Sequence, residues 1–196
     1  MITLIIIIIT ALVTVAAFND AGIFARLQLN PFQVYHRKEW YRLVTHGFIH
    51  VDWGHLIFNM LTLYFFGDAV EAMLGNPLYY ILFYLAAIGI SSLTTLFKHK
   101  DNYNYNSVGA SGGVAAVIFA SILLNPQIKI MIMFIPIPIS GFIFGILYLI
   151  YSQYMSRRNA DNINHDAHFL GAVFGFTFPI LLNVDYFNEF INQIFR

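Results

Sequence analysis

The sequence predicts an all-α polytopic membrane protein, a bundle of six transmembrane helices, and three observations carry that prediction. Hydrophobic residues make up 59% of the 196-residue chain and charged residues only 10%, against about 25% charged in soluble domains. Mean hydropathy is +0.68, and a chain this short cannot bury so much apolar surface in one water-soluble core. Apolar runs of spanning length recur six times along the chain. The few polar residues inside those runs collect near the starts of alternate runs. The formal net charge is zero, which leaves no electrostatic footprint for nucleic acid. Cysteine is absent, so disulfides, thiolate catalysis and thiolate metal sites are excluded.

The first span is read over residues 2–18. It lacks the basic leading region of a signal peptide and is long for a signal core, so it is read as a retained helix. Residues 19–54 form a long first loop with both tryptophans, Trp40 and Trp53, and with His36, His46 and His50. Too apolar for a disordered tail, this loop is expected to lie in the membrane interface. The second and third spans are placed at 55–73 and 78–97, joined by a tight turn around Gly75 and Pro77. The fourth is placed at 108–124. Residues 125–138 carry Pro126, Pro136 and Pro138 and are read as a connector with a short extended piece. The fifth and sixth spans follow at about 139–155 and 166–184. Several runs are slightly short, so tilt or local thinning of the bilayer is expected. No repeat or second domain is evident, and residues 1–196 are read as one domain. The few residues ahead of the first helix suggest no cytosolic accessory domain.

Polar residues within spans are costly and mark functional positions by default. The second, fourth and sixth helices all start from the same membrane face. His55 and Asn59 lie in the first turns of the second, Ser111 in the first turn of the fourth, and His168 in the first turn of the sixth. All four therefore share a face and a shallow depth, roughly 5 Å at 1.5 Å per residue. Serine with histidine is the minimum for nucleophilic acyl transfer, because a hydrogen-bonded imidazole takes the hydroxyl proton during attack. Their helices must then nearly touch. Gly109, Gly112, Gly113 and Ala115 around Ser111, and Gly171, Ala172 and Gly175 on the face of His168, permit that. A developing oxyanion needs donors. Asn59 and His55, spaced i, i+4, point the same way, and the Ser111 backbone N–H near a helix N-terminus adds a third.

Taken singly, each feature has a plainer reading: a membrane serine or a GxxxG pair as helix packing, a histidine near a helix start as an interfacial residue. His46, His50 and His55 do not have zinc spacing, since HExxH is absent and no carboxylate is placed to complete a set. No metal and no cofactor is therefore expected. Asp166 is read as a cap of the sixth helix, facing away from His168. Asp68 and Glu71 are read as interface residues at the far end of the second helix, with helix pairing as the lesser alternative. A small transporter would need ionisable groups at mid-membrane, where this chain is almost wholly apolar.

The segments GASGG (109–113), HGFIHVDWGHLIFN (46–59) and HDAHFLG (165–171), with EWYRLVTHGFIH (39–50) before them, resemble the signatures of the rhomboid intramembrane serine proteases. The resemblance covers roughly residues 39–184. It implies a six-helix rhomboid-like bundle and a cofactor-free serine endopeptidase that cleaves transmembrane helices of other proteins within the lipid bilayer, admitting them near the fifth helix. It implies Ser111 as nucleophile, His168 as general base, and Asn59 and His55 at the oxyanion hole. Arg42, His46 and His50 match first-loop positions of structural type. A rhomboid-like pseudoprotease that binds membrane clients without cutting them is the alternative. Many family members carry an aromatic four residues after the serine. Here that position is Ala115, which leaves two alternatives: His168 is held less rigidly, or an aromatic such as Phe119 or Phe169 substitutes. Orientation is contested. Arg26, Arg37, Lys38, Arg42, Lys98, Lys100, Arg157 and Arg158 all lie in odd-numbered loops, which a charge count places in the cytoplasm, whereas the family resemblance puts those loops outside. The compact chain suggests a bacterial inner membrane.

Overall fold

The computed structural model describes residues 1–132, 135–158 and 163–195. The chain is helical almost throughout, with a helix in the place of each expected span. Helix α1 (Ile2–Asn19) leads into three short helices, α2 (Ala21–Leu27), α3 (Pro31–Arg37) and α4 (Arg42–Thr45), followed by a 3-10 turn at His46–Phe48. The membrane helices resume with α5 (Trp53–Leu74), then α6 (Pro77–Ser91) running on into α7 (Leu93–His99), and α8 (Ser111–Leu124). After a small hairpin come α9 (Gly141–Arg158), α10 (His165–Leu182) and α11 (Asp185–Ile194).

Four stretches are long and apolar enough to cross a membrane: Ile2–Asn19, Trp53–Leu74, Pro77–His99 and His165–Leu182. The other two expected spans fall short of that measure for different reasons. Helix α8 begins at Ser111 instead of residue 108 and has only 14 residues. Helix α9 has 18 residues but ends on Arg157 and Arg158.

Local chemistry sets most boundaries. Asp52 caps α5, its carboxylate accepting from the His55 N–H at 2.7 Å, so this helix starts two residues earlier than expected. It ends at Gly75, whose φ of 63° is the left-handed conformation that glycine tolerates. Asn76 caps α6, with Pro77 in the first turn. The α6–α7 break falls at Ser92, where the hydroxyls of Ser91 and Ser92 both donate to the Ile88 carbonyl at 2.9 Å, competing with the backbone ladder.

The core gathers around α8. Apolar on all sides, it buries eleven of its fourteen residues, from Gly112 to Leu123, as expected of a helix surrounded by others. Helices α5, α6 and α10 pack around it, with Leu63, Tyr80, Phe83, Tyr84 and Ile88 almost wholly enclosed. Helix α1 docks on α5. Glu71 takes the helix-pairing alternative: it accepts from the Ile2 and Thr3 N–H groups, each at 2.9 Å, capping α1 from the end of another helix.

Residues 125–140 contain the expected extended piece, an antiparallel pair of β1 (Lys129–Ile132) and β2 (Ile135–Ser140) in register Lys129↔Ser140 and Ile130↔Ile139. Pro136 and Pro138 sit in β2, which has a free edge for positions lacking an N–H. Helix α11 was not anticipated. It presses Phe190 against Phe176 and Phe142.

The first loop folds into a tied cap. Leu29 and Ser107 exchange backbone hydrogen bonds at 2.9 and 3.0 Å, and the Asn30 amide donates to the Tyr103 carbonyl at 2.9 Å. His36 pairs with Asp101 at 2.9 Å, so the first and third loops meet at one end of the bundle, as helix alternation requires. Trp40, Tyr41 and Trp53 are exposed, a pattern typical of aromatic side chains at the headgroup level. Arg42 is buried at 5% exposure. It donates to the Ala25 and Gln28 carbonyls at 2.9 and 2.8 Å and to Glu39 at 2.6 Å. The guanidinium holds the Glu39 carboxyl below the usual carboxylate range. Arg42→Ala takes the donor from two carbonyls and leaves Glu39 only the Tyr41 hydroxyl. It is expected to cost about 3 kcal/mol, visible as a lower thermal midpoint; an unchanged midpoint contradicts the clamp.

Candidate active site

Ser111 is the first residue of α8, and His168 lies in the first turn of α10. The two side chains meet, with His168 Nε2 2.7 Å from Ser111 Oγ, in a half-buried setting. Two glycines make this approach possible. A Cβ on Gly171 would fall on the Gly112 carbonyl oxygen, and one on Gly175 on the Ala116 carbonyl oxygen. The two backbones therefore touch directly, one turn below the Ser111–His168 pair.

Helix α8 is short for a membrane-crossing helix. Fourteen residues span about 21 Å, about 9 Å less than a bilayer's hydrocarbon thickness. Its C-terminal end reaches the turn at Asn125. No described side chain caps this helix, which leaves its first N–H groups without a side-chain acceptor.

The turn before Ser111 is shaped by the histidines. Gly109 has φ 115°, and a Cβ there would come within 2.8 Å of His55 Nε2, so only glycine allows the imidazole so close. His55 thus abuts the segment leading into the serine. Asn59 lies one turn further along α5 at 6% exposure and donates to the His55 carbonyl at 2.9 Å. An amide has two N–H donors, so one remains for another acceptor.

His46 and His50 pin the same turn from above. The Gly109 N–H donates to the His46 carbonyl at 2.9 Å, and His46 Nε2 lies 2.7 Å from Ser92 Oγ. The Ala110 N–H points at His50 Nε2 at 3.4 Å. That fixes the proton on Nδ1, which faces Thr14 Oγ1 at 3.1 Å. Thr14 in turn donates to the Phe48 carbonyl. A chain of contacts thus runs from α1 to the residue before the serine. Among the described residues no group of three or more metal-binding side chains comes together.

Burial pushes the His46 imidazole down to about 4 and, with the neighbouring His55, the His50 imidazole down to about 3. Both stay neutral in the fold while the unfolded chain takes up protons below about 6.5. Their contribution to stability is full above that pH and is lost as pH falls toward 4 and then 3, by about 1.4 kcal/mol per unit for each group. Melting curves between pH 7.5 and 4.5 should show the midpoint falling below pH 6.5; a flat profile contradicts this role.

Two readings are corrected. Asp166 does not cap α10, because Asn164 does, accepting from the Ala167 N–H at 3.2 Å. Asp166 instead takes the Lys98 ammonium at 3.1 Å and the Ser156 hydroxyl, partners on two other helices. Among the described residues neither Phe119 nor Phe169 stacks on His168; the ring in that place is Tyr148 of α9. Sequence reasoning missed it because Tyr148 lies on the fifth long helix, at no spacing that relates it to either Ser111 or His168.

The family model described as Rhomboid domain matches residues 37–184. RHOMBOID-like protein 12, mitochondrial, of Arabidopsis thaliana is 30% identical over 145 residues, 66% of this chain and 43% of that protein. The putative rhomboid protease YdcA of Bacillus subtilis (strain 168) is 30% identical over 151 residues, 73% of this chain and 67% of that protein. Rhomboid-like protein 11, chloroplastic, of Arabidopsis thaliana is 28% identical over 167 residues, 79% of this chain and 57% of that protein. The chain thus spans about half the length of these plant relatives. Their names point to mitochondria and chloroplasts, so the expected bacterial inner membrane is not supported; an integral membrane location is.

Proposed function

The chain belongs to the rhomboid family of intramembrane serine proteases, and from that premise we propose that it is an active endopeptidase using a Ser111–His168 dyad. The observation that carries this reading is the 2.7 Å contact between His168 Nε2 and Ser111 Oγ. Ser111 Oγ attacks the carbonyl carbon of a peptide bond while His168 Nε2 takes the hydroxyl proton. Negative charge develops on the carbonyl oxygen, where the uncapped N–H groups of α8, the remaining Asn59 donor and His55 stabilise it. The intermediate collapses to an acyl-serine as His168 passes its proton to the leaving amine. Water, deprotonated by the same imidazole, then attacks the acyl carbonyl and frees the serine.

Asp166 does not orient the imidazole in this scheme, since it is engaged with Lys98 and Ser156. The substrate class is a transmembrane helix of another protein, entering from the lipid, and residues 1–196 act as one domain. A serine-reactive fluorophosphonate separates this reading from a pseudoprotease. Adduct at Ser111 on the folded protein, slowed by His168→Ala, is the expected result. Absence of labelling favours client binding without cleavage and overturns the dyad.

A further inference from the structure

A histidine base on a half-buried helix end needs more than its partner serine to hold its ring plane. On α10 itself, His165 stands edge-on to His168 at 5.9 Å and 76°, which limits tilt but offers no flat surface. The flat surface comes from α9. The Tyr148 ring lies 6.4 Å from the His168 ring at an interplanar angle of 23°, an offset stack within the range where aromatic rings attract.

Tyr148 is itself wedged in place. Phe119, two turns beyond Ser111 on α8, meets it at 5.6 Å, and Phe144, one turn earlier on α9, at 5.6 Å and 33°. The nucleophile's own helix has only a methyl one turn after the serine, at Ala115. Resting on the dyad reading above, we propose that Tyr148 is a positioning residue: its ring holds the His168 imidazole in the plane that aims Nε2 at Ser111.

The location of this ring has a consequence. Only Gly141, Gly145 and Ser152 of α9 are buried, whereas α8 buries eleven residues. The end of α9 beside the base is tied to α10 through the Ser156–Asp166 hydrogen bond. The support for the base thus belongs to a lightly anchored helix, and it holds only while α9 stays seated against α8 and α10. Catalytic geometry is coupled to the position of a helix that carries none of the reacting atoms.

The test compares Tyr148→Phe, Tyr148→Leu and Tyr148→Met with Tyr154→Leu, a control one and a half turns along α9, using full-length protein and a single-pass membrane substrate. A stacking role predicts Tyr148→Phe within about threefold of the parent. It predicts Tyr148→Leu and Tyr148→Met lower in kcat by about ten- to a hundredfold, the scale of a small misplacement of a catalytic group. KM and the thermal midpoint should stay unchanged, and fluorophosphonate labelling of Ser111 should slow in step with kcat. If Tyr148→Leu does not fold, Tyr148→Met, which keeps volume without a ring, decides. Full activity in either ring-less variant overturns the proposal, as does a Tyr148→Phe loss equal to that of Leu, or a loss confined to KM. Those results leave the parent active and labelled. A parent that neither cleaves nor labels overturns the dyad reading itself, and the positioning role with it.

Discussion

Replacing His168 with alanine is expected to lower turnover of a membrane-helix substrate by about ten-thousandfold, with Ser111→Ala at least as severe. The size of the effect follows from the geometry. Among the described residues the only imidazole in hydrogen-bond contact with Ser111 is that of His168 at 2.7 Å, and a neutral serine hydroxyl without a base is a poor nucleophile. Because the two residues act as a unit, the double variant should be hardly worse than either single one. KM should change little, since base and nucleophile act in the chemical step and not in holding the substrate. Parallel measurements of kcat and KM in proteoliposomes check this; a His168→Ala variant with full turnover contradicts the assignment of the base.

Gly175→Val is expected to disable the protein by another route, destabilising it by about 3 kcal/mol or more and abolishing Ser111 labelling. A Cβ at Gly175 meets the Ala116 carbonyl oxygen, Cα and carbonyl carbon, and backbone atoms inside a helix cannot rotate aside. Helices α8 and α10 would have to separate, and any separation withdraws His168 from Ser111. Gly171→Val should behave alike, since the obstacle there is the Gly112 backbone. Gly89→Ala serves as the contrast. Its new Cβ would lie 3.9 Å from Val44 Cγ2, ordinary contact, and the gain in helix propensity of up to about 1 kcal/mol should leave stability equal or higher. Thermal midpoints of the three variants are the readout. Equal tolerance of all three would mean that the α8–α10 contact is looser than described.

How much of this was legible in the chain depends on the range of the contacts involved. Helix order and the shared face of Ser111 and His168 follow from apolar run length and alternation, and both hold in the structure. The start of α8 was misplaced by three residues because Val108, Gly109 and Ala110 read as apolar continuation. Gly109 is in fact spent on a φ of 115° that admits His55, a demand set by a residue on another helix. Asp166 looked like a helix cap because an acidic residue stood at the right offset. Asn164 occupied that role, and Asp166's partners Lys98 and Ser156 come from α7 and α9. Helix α11 carried a readable signal in Phe187, Phe190, Ile191 and Ile194, apolar at i, i+3, i+4 and i+7, which was overlooked once the last spanning run ended. Tyr148 had no such signal, since a ring reaching in from a neighbouring helix leaves no spacing to detect.

Cleavage itself is the most direct measurement. The full chain and the Ser111→Ala variant are each reconstituted with a single-pass membrane protein, and the products are read by mass spectrometry. The dyad account predicts two fragments joined at a bond within or beside the membrane segment, from the parent protein alone. Intact substrate with both proteins, or the same fragments with both, would contradict it.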